Sequence, residues 1–194
     1  MCRLHALLAA IRPGGARRQL TAAKASAMLT GIRPATAVER GRKAQAQELV
    51  GDIRRLDAHL KASKRTIAEA LVLVPTSIGE LSGVGPIAAA IILAHTGDVR
   101  RFGSEDDFAS YNGTAPIDAS SGPKKRHRLN PRDNRQLNHA MHIIAVSPIS
   151  HAGPGRDYYE RKLAEGKSTK EAMRALKRQI SNAVYRLLVI DTTR

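Results

Sequence analysis

Apolar residues recur every seven positions between Pro34 and Val74, with charged residues between them. This a/d spacing predicts one long helix that pairs with another helix, either within its own chain or on a second copy. A plain amphipathic core helix is the alternative, because Gly51 and Ser63 weaken the seam. Pro75 ends the helix. The two rows are Ala46, Ile53, Leu60, Ile67 and Val74, and Leu49, Leu56, Ser63 and Ala70.

The region after residue 76 has the patterns of several shorter helices. Ser104, with Asp107 three residues on, resembles a capping box and predicts a helix over Glu105–Tyr111. The acids of its first turn favour the helix dipole, so we interpret them as structural rather than as metal ligands. Ser168 and Glu171 form a second capping box, which opens the last helix. The predicted apolar stripe of that helix is Ala172, Leu176, Ile180, Ala183 and Leu187.

These patterns predict a mainly α protein in three parts. Residues 1–33 hold one short helix that stops at Pro13, and they have little capacity to build a core of their own. Residues 34–76 form the coiled-coil or linker helix, and residues 77–194 form a compact helical domain. Within that domain, Gly83 and Gly85 form a G-x-G turn that resembles a helix-hairpin-helix element. Such a turn presents free N–H groups to a phosphate, although a plain turn between packed helices is the alternative.

The net charge of the chain indicates which kind of partner it binds. The formal net charge is +15, from 32 Lys and Arg against 17 Asp and Glu, which favours polyanions and nucleic acid above all. Only two Phe, four Tyr and no Trp argue against base stacking as the main binding mode. No apolar run approaches the roughly 18 residues of a spanning helix, so no membrane partner is expected. A lone cysteine, Cys2, fits a reducing cytoplasm.

The segment from Gly113 to Leu137 contains the candidate chemistry. Ser120 and Ser121 precede a Gly-Pro turn and a basic run, and a serine that attacks a phosphodiester needs such positive charge around the phosphoryl oxygens. His127 or Asp118 would accept the serine proton, while an ordinary surface turn is the alternative. The predicted nucleic-acid contacts are Gly83, Gly85, Lys124, Lys125, Arg126, Arg128, Arg132, Asn134 and Arg135.

The following helix carries His139 and His142, three residues apart. No cysteine or firmly placed carboxylate accompanies them in the sequence, so we predict a half-buried or solvated pair and no metal site.

Two long segments, GVGPIAAAIILAHTGDVRRFGSEDDFASYNGTAPIDASSGPKKRHRLNPRDNRQLNHAMHIIA and RDYYERKLAEGKSTKEAMRALKRQISNAVYRLLV, carry a family resemblance. They resemble the C-terminal domain of the DEDD insertion-sequence transposases, the Piv-like, bridge-RNA-guided recombinases of insertion-sequence family one-ten. The resemblance implies DNA transposition, with a serine before glycine as the nucleophile that links to the DNA end. By position that serine is Ser121, with Ser120 as the less favoured neighbour. The basic run would hold DNA or guide RNA.

Members of this family also carry an N-terminal RuvC-like domain, whose Asp-Glu-Asp-Asp quartet binds divalent metal. Before Asp52 the only acids here are Glu39 and Glu48, so such a quartet is not expected in this chain. The expectation is a truncated transposase that binds nucleic acid, has no cofactor of its own and is inactive alone, with Mg²⁺ needed only with the missing domain. The implied location is the bacterial cytoplasm, at the nucleoid.

Two other functions remain open at this stage. One is a catalytically inert nucleic-acid-binding module, in which Ser121 is an ordinary turn residue. The other is a regulatory fragment whose helix pairs with a full-length transposase or with a second copy of the chain. The same heptad seam would serve either pairing, so the sequence leaves the oligomeric state open.

Overall fold

The computed structural model of the 194-residue chain describes residues 2–16, 19–118, 127–128 and 133–193. The described part is mainly α-helical, as predicted, with eight α-helices and a pair of two-residue strands. It divides into two compact units, Met1–Arg65 and Thr66–Arg194. The family resemblance concerns the second unit.

The first unit packs two short helices against a long one. Helix α1 is Cys2–Ile11, α2 is Ala22–Gly31, and the long helix α3 is Ala37–Val72. Thr36 and Glu39 cap the start of α3, each side chain accepting a hydrogen bond from the other residue's backbone N–H. The leucines of the first 33 residues thus have a buried core to join, because α3 supplies its other side. That core comprises Leu4, Leu8, Leu20, Ala25, Leu29, Ala46 and Val50.

The long predicted helix is confirmed, and its apolar seam has two different environments. Near the start of α3, Ala46 and Val50 are buried and Leu49 and Ile53 pack against the same core. Farther along, residues 54–65 are all exposed. Leu56 and Leu60, which belong to the predicted seam, are among the exposed large hydrophobic residues. Whether this stretch pairs with another helix stays a prediction.

The second unit is a bundle of five further α-helices with short connections. A single 3₁₀ turn, Ile78–Glu80, precedes the first helix of the bundle, and another, Val99–Arg101, follows it. Strands β1 and β2 form a short antiparallel pair. The elements are α4 Pro86–Thr96, α5 Glu105–Tyr111, β1 Ile117–Asp118, β2 His127–Arg128, α6 Arg135–Ile149, α7 Pro154–Ala164 and α8 Thr169–Asp191.

Both predicted serine N-caps are confirmed by local hydrogen bonds, and the one at Ser168 is a complete capping box. Ser104 Oγ accepts the Asp107 N–H at 3.1 Å, and α5 spans the predicted residues. Ser168 Oγ accepts the Glu171 N–H at 3.4 Å, while the Glu171 carboxylate accepts the Ser168 N–H at 2.9 Å. These bonds satisfy donors that a helix start would otherwise leave unpaired.

The last helix, α8, lies at the centre of the bundle and contacts α5, α6 and α7. Its buried stripe begins as predicted with Ala172, Leu176 and Ile180 but continues through Val184 and Leu188. The predicted Ala183 and Leu187 are only partly buried. The predicted stripe takes a three-residue step after Ile180, whereas the buried residues continue in four-residue steps, because the packed neighbours and not the repeat alone decide which residues are buried.

The predicted helix-hairpin-helix detail is not confirmed. Only one 3₁₀ turn lies before the glycine turn, and the chain reaches α4 directly after it. Gly83 has φ +88°, and a Cβ there would come within 2.8 Å of the Ile144 carbonyl oxygen. Gly83 therefore permits close approach to α6. Gly85 is the exposed N-cap of α4.

A carboxylate at the end of α8 ties the two ends of the bundle together. Asp191 accepts hydrogen bonds from Ser77 Oγ at 2.6 Å and from the Ser77 backbone N–H at 2.9 Å. It also accepts one from Thr76 Oγ1 at 2.9 Å. Because Ser77 is buried, its donors depend on this carboxylate.

Candidate nucleic-acid interface

Two short strands flank the segment that contains the predicted serine in the sequence. Ile117 pairs with Arg128 and Asp118 pairs with His127, so the ladder joins the two ends of the segment 119–126. Ser121 belongs to that segment by sequence. We call residues 113–134 the serine loop. Of its predicted site residues, Ser120, Ser121, Lys124, Lys125, Arg126 and Arg132 lie outside the described residues, and Arg128 is described through its backbone pairing alone.

The two ends of the serine loop contact each other. Gly113 has φ +72°, and a Cβ on it would overlap the Asp133 carboxylate and lie 2.6 Å from Asn138 Nδ2. The Asn134 N–H donates to the Tyr111 carbonyl oxygen at 2.8 Å. Thus the residues just before and just after the loop are in direct contact, and glycine is needed where they meet.

A buried polar network lies under this junction and ends on α8. Asn112 donates through Nδ2 to Ser181 Oγ at 2.8 Å, and both residues are fully buried. Thr114 donates to Asn112 Oδ1 from its N–H at 3.1 Å and from Oγ1 at 2.7 Å. The entry to the serine loop is therefore bonded to α8 through side chains rather than through apolar packing alone.

The exit from the loop is bonded to α8 through a second pair of side chains. Lys177 Nζ donates to Asn138 Oδ1 at 2.5 Å. Asn138 Nδ2 donates to Asp133 Oδ2 at 2.8 Å and to the Asn112 carbonyl oxygen at 3.0 Å. Asn138 thus joins the entry and the exit of the loop in one hydrogen-bonded unit.

Lys177 is buried, although it is one of several basic residues along α8. Its residue surface is only 8% exposed, because the side chain packs between α6 and α8 and not in solvent. Burial lowers the pKa of Lys177, and the Asp133 charge acts in the opposite direction. A lysine inside a run of basic residues gives no sequence signal of burial, so this contact is visible only once α6 is placed.

Two further arginines of α8 are engaged in ion pairs with α5. Arg178 pairs with Asp106, and Arg186 Nε donates to Glu105 Oε2 at 3.1 Å. The acidic first turn of α5 therefore holds α8, in keeping with the structural role predicted for it. Lys167 and Lys170 are exposed near the start of α8 and remain accessible to a polyanion.

The predicted contacts at the start of α6 have different surroundings. Asn134 is the N-cap of α6, and its Oδ1 accepts the N–H groups of Gln136 and Leu137, both at 3.1 Å. Its Nδ2 lies 3.2 Å from Tyr111 Oη and 3.3 Å from His95 Nδ1. Both polar atoms of Asn134 therefore have partners within the protein.

Arg135, the first residue of α6, is exposed. It lies one position beyond the N-cap and at the exit of the serine loop. Its charge is available to a phosphate without disturbing the hydrogen bonds of Asn134.

An arginine beside the same junction was not singled out by the sequence. The Arg101 guanidinium lies 4.4 Å from the ring centroids of both Phe102 and Tyr111. Hydrogen bonding to Arg101, and then to Asn134, lowers the pKa of the Tyr111 hydroxyl. Arg101 is exposed, so the two rings hold a positive charge at the surface near the start of α6.

A cavity of about 260 Å³ opens between the entry of the serine loop and α8. Thr114 and Pro116 line one side, Tyr158 lies on α7, and Lys177 lies on α8. The exposed Lys167 is also part of the lining. The cavity forms a concave recess beside the entry of the serine loop.

The described residues include no group of three or more His, Cys, Asp or Glu residues that is placed to hold a metal ion. His139 and His142 are both exposed on α6, which is the solvated alternative of the sequence prediction. In the described part of the chain, no helix has both the length and the apolar character needed to cross a bilayer.

Comparison with known proteins finds a family match within the second unit. Residues 76–160 match the family model described as Transposase IS116/IS110/IS902 family. The uncharacterized 43.6 kDa protein of insertion element IS110 from Streptomyces coelicolor is 35% identical over 130 residues, covering 66% of this chain and 32% of the relative. The uncharacterized 42 kDa protein of insertion element IS900 from Mycobacterium paratuberculosis is 36% identical over 110 residues, or 56% of this chain and 28% of the relative.

A third relative is the uncharacterized 44.8 kDa protein of insertion element IS116 from Streptomyces clavuligerus. It is 28% identical over 144 residues, covering 73% of this chain and 36% of the relative. The chain spans about a third of the length of the curated relatives it matches. The matched region includes α4, α5, both strands, α6 and the start of α7, so these comparisons support a fragment related to the IS116/IS110/IS902 family of transposases.

Proposed function

We propose that the second unit binds DNA through the serine loop and the basic surface around it, and that Ser121 is the nucleophile that attacks the DNA backbone. The family match supports an activity in transposition. The β1–β2 pairing supports the assignment of Ser121, because it joins both ends of the segment that contains this serine. The residues that flank the pairing are in turn hydrogen-bonded to α8.

The chemistry of the proposed step is a transesterification. Ser121 Oγ forms a bond to phosphorus as the bond between phosphorus and the leaving sugar oxygen breaks, and the serine proton passes to a base. Positive side chains lower the barrier by stabilising charge on the phosphoryl oxygens. Lys124, Lys125 and Arg126 follow Ser121 in the sequence and are assigned that role.

A metal centre is not assigned to this chain. The resemblance implies Mg²⁺ on the RuvC-like domain of the family, whereas the described residues supply no matching group of carboxylates. Glu105 and Asp106, which are adjacent in the chain, are bonded to arginines of α8 instead. No step of the proposal is therefore routed through a metal held by the described residues.

The binding half of the proposal is tested by the salt dependence of affinity. If about six phosphates are neutralised, log affinity falls with log salt at a slope of about −5 for duplex DNA. Replacing Lys124, Lys125 and Arg126 with Gln should reduce the slope to about −3, because each neutralised phosphate contributes about 0.9. Fluorescence anisotropy with a labelled duplex measures both slopes.

The matched control removes three positive charges from α3. Arg54, Lys61 and Lys64 are exposed on the first unit, and replacing them with Gln lowers the net charge by the same amount. This variant should keep a slope near −5. Equal slopes for the two triple variants would show that overall charge, and not the serine loop, holds the DNA.

Guide RNA is the second nucleic-acid partner of the proposal. The basic surface has no evident element for reading base edges, so sequence choice is assigned to pairing between RNA and DNA, as the family resemblance implies. The guide of a related element should compete with the DNA duplex at the same ionic strength. A scrambled RNA of equal length and charge is its control, and competition by both to the same degree would contradict a specific guide.

A regulatory role is the second candidate function, and one observation favours it. Residues 54–65 of α3 are exposed together with Leu56, which is 61% exposed, and Leu60, which is 58% exposed. Sedimentation at rising concentration tests pairing through this face. Replacing Leu56 and Leu60 with Gln should reduce self-association or association with a longer transposase, whereas unchanged association would exclude this face.

A further inference from the structure

We propose that Lys177 is a positioning residue for Ser121, acting through Asn138 and Asp133 to fix the two ends of the serine loop against each other. The inference rests on the proposed function, because it gives the placement of the loop a role in the attack on DNA. Lys177 itself is not assigned contact with the reacting atoms.

The first step is that one helix holds both ends of the loop. Ser181 and Lys177 lie one turn apart on α8. Ser181 accepts the hydrogen bond from Asn112, which precedes the loop, and Lys177 donates to Asn138, which bonds Asp133 at the loop's exit. A single rigid element thus sets the separation of the two ends.

The second step is that the ammonium fixes the orientation of the Asn138 amide. Lys177 Nζ has only donors, so the amide oxygen of Asn138 faces it at 2.5 Å. Nδ2 must then point to the opposite side, where it donates to both Asn112 O and Asp133 Oδ2. If the Asn138 amide were rotated by 180°, its NH₂ group would face the Lys177 ammonium and its oxygen would face the two acceptor oxygens. The three hydrogen bonds therefore hold the amide in the same orientation.

The third step is that the charge of Lys177 is explained by the orientation of Asn138 and not by the packing of the core. Lys177 is only 8% exposed, and removing an ammonium from water is costly unless it is paired. A Met or Leu side chain would fill similar space without that cost. The advantage of lysine at this position is the directed bond to Asn138, together with the favourable charge of Asp133, which opposes the effect of burial on the pKa of Lys177.

The fourth step connects the junction to the segment containing the serine. Gly113 has no room for a Cβ beside Asp133, so a shift of Asp133 moves the entry of the loop as well. Ile117 and Asp118 follow within a few residues and pair with His127 and Arg128. A change in the Lys177–Asn138 bond is therefore transmitted to both ends of residues 119–126.

The test compares Lys177→Met with the full wild-type chain. Amide hydrogen exchange is measured at the four ladder residues, Ile117, Asp118, His127 and Arg128. In parallel, the rate of covalent adduct formation on element-end DNA is measured with a RuvC-like domain of a relative and Mg²⁺ supplied, and the DNA affinity is measured separately. Lys64→Met, which removes an exposed ammonium from α3 of the first unit, is the matched control.

The expected result for Lys177→Met is ladder exchange at least tenfold faster, with the amides of α4 and the middle of α8 unchanged. The adduct rate should fall at least tenfold while DNA affinity stays within twofold, which a loss of folded protein would not produce. Asn138→Leu should have the same effect, and the double variant should be no worse than Asn138→Leu alone, because both changes break one chain of bonds.

Three results would overturn the inference. They are unchanged ladder exchange, exchange that speeds up equally throughout the bundle, and an adduct rate that stays at the wild-type value. If the wild-type chain gives no Ser121 adduct under any condition, the proposal that Ser121 is the nucleophile fails, whatever the result for Lys177. The exchange comparison then still decides whether Lys177 holds the loop.

Discussion

Replacing Gly113 with Ala should destabilise the second unit by about 2–5 kcal/mol. The backbone there has φ +72°, a conformation that costs an L-residue about 1–2 kcal/mol. The new Cβ would also overlap the Asp133 carboxylate and crowd Asn138 Nδ2. Displacing these groups breaks one or more bonds of a buried network, at about 1–3 kcal/mol for each group left unsatisfied.

Urea unfolding followed by tyrosine fluorescence measures this cost in the relevant unit. The four tyrosines, at positions 111, 158, 159 and 185, all belong to the second unit, and the chain has no Trp. With a urea m-value of about 2 kcal/mol/M, the expected loss lowers the midpoint by about 2 M.

Gly166→Ala is the matched control for the backbone term. Gly166 has φ +85°, but nothing lies within 4 Å of a Cβ built there. Its substitution should therefore cost only the conformational part, about 1–2 kcal/mol. If Gly113→Ala costs no more than Gly166→Ala, the contact between the two ends of the serine loop is refuted.

Three further changes test the bundle that supports the loop. Ser168→Ala should lower the free energy of unfolding by about 1 kcal/mol through loss of the α8 cap, and no measurable change in the urea midpoint would contradict the cap. Hydrogen bonds from Ser168 lower the pKa of Glu171 below its ordinary 4.5. The stabilisation of the folded state by the Glu171 carboxylate is therefore complete above about pH 4.5, and it is lost as the pH falls through the lower pKa of the folded state. The midpoint of the wild type should accordingly fall more between pH 5 and pH 3 than that of Ser168→Ala, and parallel curves would refute the linkage. Asp191→Ala should lower the free energy of unfolding by about 2–4 kcal/mol, because it leaves the buried donors of Ser77 unpaired. Asp57→Ala, at an exposed position, should be near neutral. Equal effects of the two changes in urea unfolding would show that Asp191 does not join the two ends of the bundle.

Features that depend on residues a few positions apart were predictable from the sequence. Ser104 and Ser168 mark helix starts because each side chain bonds a backbone N–H three residues away. The long α3 and the turn at Asn112 and Gly113 follow from equally local signals. The mainly α fold was accessible in this way, whereas the family was indicated by the resemblance of two long segments.

Features that depend on contacts between distant elements were not predictable. Lys177 is one of several basic residues on α8, and only the position of Asn138 on α6 makes it a buried donor. The shift of the α8 stripe to Val184 and Leu188 likewise reflects the neighbours it packs against. Asp191, at the end of the chain, gave no sign of its bond to Ser77.

The candidate site was predictable in composition and only partly in geometry. The Ser-Gly-Pro sequence and the basic run after it are apparent from the sequence. The structure adds that the residues on either side of this segment pair as two short strands. Asn134, predicted as a phosphate contact, has both of its polar atoms engaged within the protein. Its role in binding stays a prediction, as does that of Arg135.

The most direct test of the central claim is trapping a covalent protein–DNA adduct on an element end from this family. The chain is assayed alone and with a RuvC-like domain of a relative and Mg²⁺, and the attachment site is mapped by mass spectrometry. We predict an adduct on Ser121 that disappears in Ser121→Ala and persists in Ser120→Ala. Salt-sensitive DNA binding with no adduct at Ser121 under either condition would contradict the nucleophile assignment.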